Sequence, residues 1–431
     1  MKKDFKYFWH IIAIVAVVFF SSCTKSKPAP AEEQAPAPVV SDQTPVQEEE
    51  PESEEDRPPL VMSEVQAVFL EDDMPIETLR AAIENSRVYL RKLPANRAFQ
   101  YGETTYTTAE VIASMDLFEA LLDNFNNKEQ FLSDLNELFV IMKSPGGVPS
   151  NQVLFTGYYE PVLPGSRTKT SIYNIPAYAK PDDLLTLNLG NFRESLKERT
   201  IIYRFENGKI IPYFSRKEIM GGALEGKAKV VAYFRDPVDL FFMQIQGSGI
   251  LRTESGEMIR IGYAGANGRE YRSIGRLLIE KGVMTKDEAS MQKIREYLRN
   301  NPSEVNPVLQ HNESYTFFVE QDIARGPFGN INVPLTPERS IATDALLYPK
   351  AGLAFIATDV PNCDDLGQCS GTKRITRFVL NQDTGGAIKG PGRTDIFWGR
   401  GAKAEAAAGR MKYFGDVYFL VAKKSAISNV S

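Results

Sequence analysis

The chain changes its rhythm once, at the Gly/Pro-rich break of residues 145–149, and that change limits the folds open to it. Upstream, residues 76–93, 108–125 and 128–142 place apolar side chains three and four apart with charges between them, which predicts three amphipathic helices. Thr107-Thr108-Ala109-Glu110 reads as the start of the second, a hydroxyl residue followed three positions later by a glutamate. Downstream the apolar residues come in short runs bounded by turn formers: 153–159, 229–234, 240–245, 259–263, 315–319, 340–343 and 417–421. Many short strands at irregular spacing predict barrels or sandwiches rather than a parallel βαβ sheet. Helical patterns interrupt them at 273–300 and 402–411. At 431 residues the chain exceeds one compact core, so two or three domains are expected.

The N-terminus is a separate matter. Lys2, Lys3 and Lys6 precede an apolar run at residues 11–20, followed at once by Ser21, Ser22 and Cys23. This is the layout of a secretory signal, with about half of the ~20 apolar residues that a spanning helix needs. Residues 24–59 then hold eight prolines, ten acidic and three basic residues, and almost nothing large and apolar to bury. Such a stretch reads as a disordered, self-repelling tether. It also accounts for the acidity of the chain, whose 50 basic and 55 acidic residues give a net charge of −5 and no basic footprint for nucleic acid.

Residue counts narrow the chemistry. With only His10 and His311, and with His10 in the signal segment, a Ser-His-Asp hydrolase would rest on His311 alone. Cys23, Cys363 and Cys369 are too few and too badly spaced for a structural zinc site. Carboxylates are the remaining reagents, and the last hundred residues offer Asp344 in ERSIATD, Asp383 in NQDTGGAIKG and Asp395 in GRTDIFWG. An aspartate beside glycine is most often a turn residue. Asp383, however, precedes Thr384-Gly385-Gly386, where backbone can approach a ligand, and Asp395 precedes Ile396, Phe397 and Trp398, an apolar setting able to keep a general acid protonated. Asp-Thr-Gly is also the aspartic-protease tripeptide, but that chemistry needs two copies and the chain has one.

Five long strings carry a resemblance: FTGYYEP (155–161), DPVDLFFMQIQGSG (236–249), GYAGANGREYRSIGRLL (262–278), VPLTPERSIATD (333–344) and DTGGAIKGPGRTDIFWG (383–399). They resemble the membrane-bound lytic murein transglycosylase A family with its C-terminal three-aspartate (3D) domain. The resemblance implies a mainly β protein with N-terminal α-helices: a double-psi β-barrel from residues 60–164 and 325–425, a second β-domain inserted at 165–324, and a groove between them. It implies a lytic transglycosylase that cuts the β-1,4 bond between N-acetylmuramic acid and N-acetylglucosamine in peptidoglycan and leaves a 1,6-anhydro end. Asp395 would be the catalytic residue, with Asp383 and Asp344 in support. Tyr158, Tyr159, Glu160, Gln246, Ser248 and Gly249 would bind substrate, although of two adjacent tyrosines on a strand one should face the core. GYAGANG would form a loop lining the cleft.

One acid can suffice because the nucleophile is the substrate's own 6-hydroxyl, whose high effective molarity replaces the second carboxylate of ordinary glycosidases. The step needs no metal or organic cofactor. Small residues before Cys23 resemble a bacterial lipobox, so Cys23 would be lipidated; Thr24, in place of Asp, leans towards the outer membrane, with the chain tethered on its periplasmic face. Expected partners are thus peptidoglycan strands and the membrane. Cys363 and Cys369, an even pair six positions apart in an exported chain, suggest a local disulfide. The rival reading is a non-catalytic peptidoglycan-binding lipoprotein, from which the presence of Asp395 beside an aromatic groove would distinguish it.

Overall fold

In the computed structural model six strands close on themselves. They are β1 (Val153–Glu160), β2 (Ser340–Ala342), β3 (Leu353–Cys363), β4 (Cys369–Asp383), β5 (Arg393–Arg400) and β6 (Tyr413–Ala422). They run in the order β6-β3-β4-β2-β5-β1, and β6 pairs with β1 to complete the ring. The β2–β4 and β5–β1 pairs are parallel and the others antiparallel. Closure leaves no barrel edge unpaired. Strand alternation sends Phe155, Ile341, Ile356, Val379, Ile396 and Phe419 into the barrel core, each no more than 1% exposed, and turns Phe355 and Phe378 to the outer face. The structure describes residues 59–63, 70–148, 150–197, 199–286 and 288–428, so the signal segment, Cys23 and the tether as far as residue 58 lie outside the described residues.

Three helices cover one side of the barrel: α1 (Ile76–Leu90), α2 (Thr108–Leu121) and α3 (Lys128–Leu138). Thr107 and Glu110 cap α2 reciprocally, which is why it begins there. Phe118 of α2 packs its ring 5.1 Å from that of Phe378 in β4 and so ties the helices to the barrel. The pattern predicted helix through residue 142, but α3 stops at Leu138 and Phe139–Lys143 is a strand on the outer edge of β6. Pairing with β6 satisfies its backbone groups, and half-burial suits its β-branched and aromatic residues.

Between β1 and β2 the chain builds further sheets. Val162–Pro164, Gly249–Arg252, Met258–Ala266 and Thr316–Gln321 form one of four strands. Against them lie α4 (Pro237–Gln246), α5 (Ile274–Glu280), α6 (Met291–Asn300) and α7 (Pro302–His311), while α8 (Ala402–Arg410) packs on β1 and β5. Residues 240–245, expected as a strand, belong to α4. Asp236 caps it by accepting from the Val238 N–H at 2.8 Å, Pro237 opens its first turn, and Gly247 ends it at φ 82°. These end signals override an apolar run that fits either period.

The barrel strand passes directly into this second region. Beyond Pro161, Val162–Pro164 pairs in parallel with Gly249–Arg252. At the joint Glu160 is fully buried and ion-paired to Arg260 at 2.7 Å. Arg260 also donates to the carbonyls of Asp322 at 3.1 Å and Ile323 at 2.9 Å, on the segment that returns towards the barrel. One guanidinium thus fastens both crossings.

Candidate active site

Register explains why two of the three aspartates are neighbours. Ala342, the last residue of β2, is the partner of Asp383 in β4 on one side and of Asp395 in β5 on the other. Two strand spacings put their backbones about 9–10 Å apart. On β5, alternation turns Asp395 and Phe397 to one face and buries Ile396 and Trp398 in the core. On β1, Thr156 and Tyr158 pair with Asp395 and Phe397 respectively, and the Tyr158 and Phe397 rings lie 5.2 Å apart.

Asp395 is held by one oxygen. The Thr156 hydroxyl donates to its Oδ1, and Arg393 Nη2 lies 3.5 Å from that atom and 2.9 Å from Thr156 Oγ1. No described residue donates to Oδ2. The side chain is 18% exposed. Burial pushes its pKa up, and the Arg393 cation and the Thr156 hydrogen bond pull down against that without cancelling it. Asp383 is held by both oxygens: Oδ1 accepts from the N–H groups of Asn330 at 2.9 Å and Thr384 at 2.8 Å, and Oδ2 from the Tyr158 hydroxyl at 2.9 Å. Burial outweighs these three donors and raises Asp383 from 3.8 to about 6. Burial, followed by the charge of Asp383, lifts the Tyr158 phenol well above its ordinary range, so at neutral pH it is a donor.

A cavity of about 430 Å³ opens over these groups, with Tyr158, Asp383 and Asp395 on the barrel side and Gln246, Ser248 and Tyr263 across from them. A second, of about 1060 Å³, shares Ile245 and Gln246 with the first and reaches Thr156 and Gly157. Asp395 and its hydrogen-bond donor therefore stand where the two meet.

Of the residues singled out from sequence, Asp383, Asp395, Tyr158, Gln246 and Ser248 line the smaller cavity. The other four do not. Tyr159 faces the core at 3% exposure, and only its backbone N–H reaches the site by donating to Gln246 Oε1 at 2.9 Å. Glu160 is consumed by Arg260. Gly249 is buried in a strand where an added Cβ would come 2.4 Å from Met243 Cε, so its smallness serves packing. Asp344 accepts from Leu346 N–H at 3.1 Å and Gly390 N–H at 3.0 Å, which pins the loop after β4 rather than presenting a carboxylate to the groove. Sequence reasoning passed over Thr156 and Arg393. The signal for Arg393 was available, since a residue two before Asp395 on a strand shares its face.

Cys363 and Cys369 are joined by a disulfide at the turn end of the β3–β4 hairpin. Among the described residues no helix is long and apolar enough to cross a membrane, and no group of three or more His, Cys, Asp or Glu residues is placed to hold a metal.

A profile of the MltA specific insert domain matches residues 154–319, and one of the 3D domain matches residues 339–421. The membrane-bound lytic murein transglycosylase A of Vibrio cholerae is 31% identical over 277 residues, covering 64% of this chain and 67% of its own length. That of Escherichia coli strain K12 is 34% identical over 270 residues, covering 62% of this chain and 65% of its own length. The match thus spans about two thirds of these relatives. Among solved structures, a membrane-bound lytic murein transglycosylase from Agrobacterium tumefaciens superposes with a TM-score of 0.69 at 30% identity, over 85% of this chain and 98% of that one. Escherichia coli MltA with bound chitohexaose gives 0.63 at 26% identity, over 84% and 94%. On two matched domains and these relatives, the chain belongs to the membrane-bound lytic murein transglycosylase A family of peptidoglycan lytic transglycosylases.

Proposed function

We propose that Asp395 alone performs both proton transfers of a lytic cut in peptidoglycan. The observation that carries this reading is the asymmetry of the two carboxyl groups. Asp395 has a free oxygen on the cavity and a raised pKa, whereas both oxygens of Asp383 are engaged by donors. As the acid, Asp395 protonates the oxygen of the bond between N-acetylmuramic acid and N-acetylglucosamine. As the resulting carboxylate, it takes the proton of the muramyl 6-hydroxyl while that oxygen attacks its own anomeric carbon. The products are a free 4-hydroxyl and a 1,6-anhydro ring, and no water enters. Asp383, largely ionised above pH 6, stabilises positive charge developing on the sugar ring, and Asp344 holds the adjoining loop in place.

Glycan recognition is supported by the Escherichia coli relative with bound chitohexaose, and by the amide and hydroxyl groups of Gln246 and Ser248 on the cavity wall. We read the barrel as double-psi, on its six strands and two parallel pairs, with residues 60–164 and 325–425 forming that domain and 165–324 the insert. We place the chain on the periplasmic face of a bacterial outer membrane, anchored through a lipidated Cys23. The test is incubation of the Asp395→Asn variant with sacculi and mass spectrometry of what is released. It should bind the sacculi and liberate no anhydromuropeptides. Continued release would overturn the assignment, and reducing-end products from the wild type would point to a hydrolase.

A further inference from the structure

We propose that the larger cavity, on the Thr156 side of Asp395, receives the carboxylate-bearing stem peptide of a muramyl residue; this rests on the peptidoglycan reading above. The two cavities differ in charge. The smaller is lined by no charged groups but Asp383 and Asp395. The larger carries Arg276, Glu280, Lys286, Glu288, Arg410 and Lys412. Both acids there are engaged locally. Glu280 is ion-paired to Arg276 at 2.8 Å, and Glu288 accepts from both the N–H and the hydroxyl of Thr285 at 2.9 Å. Lys286, Arg410 and Lys412 form no ion pair among the described residues.

These three cations come from both sides of the groove. Arg410 ends α8 and Lys412 lies between it and β6 of the barrel, and Lys286 lies between α5 and α6. The Lys412 ammonium donates to the Lys286 carbonyl at 3.1 Å, so the two stretches meet at the rim. Like charges gathered on one rim repel unless an anion sits among them. The glycan backbone cannot supply it, because N-acetylated sugars with an amide-linked lactyl arm are neutral. The anionic groups of such a strand are the carboxylates of its peptide arms. Space points the same way: this cavity has more than twice the volume of the other, room for a branch as well as a strand. Phe242, Met291, Ile294 and Met411 give it an apolar floor suited to alanyl side chains.

The test compares binding of the full chain to peptide-bearing sacculi with binding to glycan strands stripped by an amidase, which keep the lactyl carboxylate and lose the peptide. The wild type should prefer the peptide-bearing material, and raised salt should weaken that preference. Three exposed charge pairs contribute together roughly a tenfold effect. The combined Lys286→Glu, Arg410→Glu and Lys412→Glu variant should therefore lose roughly a tenfold preference, and Lys286→Glu alone part of it. No preference in the wild type, or equal weakening on both materials, would overturn the proposal. Because the readout is binding, a wild type that shows the preference and releases no anhydro product sinks the catalytic reading alone.

Discussion

Thr156 and Asp395 are register partners across the parallel β1–β5 pair, and the Thr156 hydroxyl donates to the Asp395 oxygen that Arg393 also approaches. A residue that must give a proton and then take one cannot be locked in either state. Burial favours the acid, while the hydroxyl and the guanidinium favour the carboxylate.

Removing the hydroxyl tests the first half of that balance. Thr156→Val keeps the shape and β propensity of the strand but deletes the donor. A hydrogen bond to a charged group contributes about 1.5–3 kcal/mol, which corresponds to roughly a 10- to 100-fold fall in kcat. KM should change little, since Thr156 addresses Asp395 and not the sugar. Steady-state kinetics on purified glycan strands reads both; a rise in KM at unchanged kcat would move Thr156 into substrate binding.

Arg393 tests the second half through pH. Its cation lowers the Asp395 pKa, so Arg393→Gln lets that pKa rise further. The protonated form required for the first transfer then survives to higher pH, and the alkaline limb of the kcat/KM profile moves upward. Asp383, Tyr158 and Tyr271 also face this region and titrate, so the comparison is between variant and wild type in one buffer series. Arg393→Lys, which keeps the charge, should return the limb towards its wild-type position.

Asp383 should appear in stability. Its pKa is raised on folding from 3.8 to about 6, so between those values the folded state holds a proton that the unfolded state has lost. This contribution is complete below pH 4 and fades as pH rises through 6, with a difference of up to about 3 kcal/mol across the window. Asp383→Asn should flatten that segment of the stability–pH curve measured by urea denaturation. An unchanged slope would mean the carboxyl is better solvated than its burial suggests.

How far the site was legible depends on what each residue's role is made of. Asp383 and Asp395 were visible because their neighbours are informative, two glycines in one case and bulky apolar residues in the other. Their juxtaposition was not, since it rests on Ala342 standing between them in register, and register is a tertiary fact. Strand alternation correctly demands that one of Tyr158 and Tyr159 be buried but does not say which. It fails at Glu160, which period two would place beside Tyr158 on the groove. There the β1–β5 register shifts, and an arginine 100 positions away enters the joint. The 240–245 run misled for another reason: short apolar stretches fit both periods, and the capping residues that decide lie outside the run.

The disulfide should matter little. It closes only the short loop between residues 363 and 369, where chain-entropy reasoning gives about 2 kcal/mol or less. It also sits at the turn end of a hairpin already paired along its length. Cys363→Ser should therefore lower the urea midpoint slightly and leave kcat unchanged. A large loss of activity on reduction would give this turn a role beyond bracing the hairpin.

Glu160 separates the sequence-based expectation from the structural one. If it bound substrate, Glu160→Ala would raise KM and spare the fold. The structure instead places it between Arg260 at 2.7 Å and Arg400 at 3.2 Å, with no exposure of its own. Deleting it strands the Arg260 cation in a dry joint, a change that costs about 3–5 kcal/mol when a buried pair loses one member. The same guanidinium grips the returning segment, so both crossings should loosen together. Glu160→Ala should thus unfold at markedly lower urea, with protease cutting near residues 160 and 322 first. Glu160→Met with Arg260→Met, which removes both charges, should recover part of the stability. The recovery is incomplete because the Asp322 and Ile323 carbonyls lose their donor. Wild-type stability in Glu160→Ala, accompanied by weaker glycan binding, would return this residue to the groove.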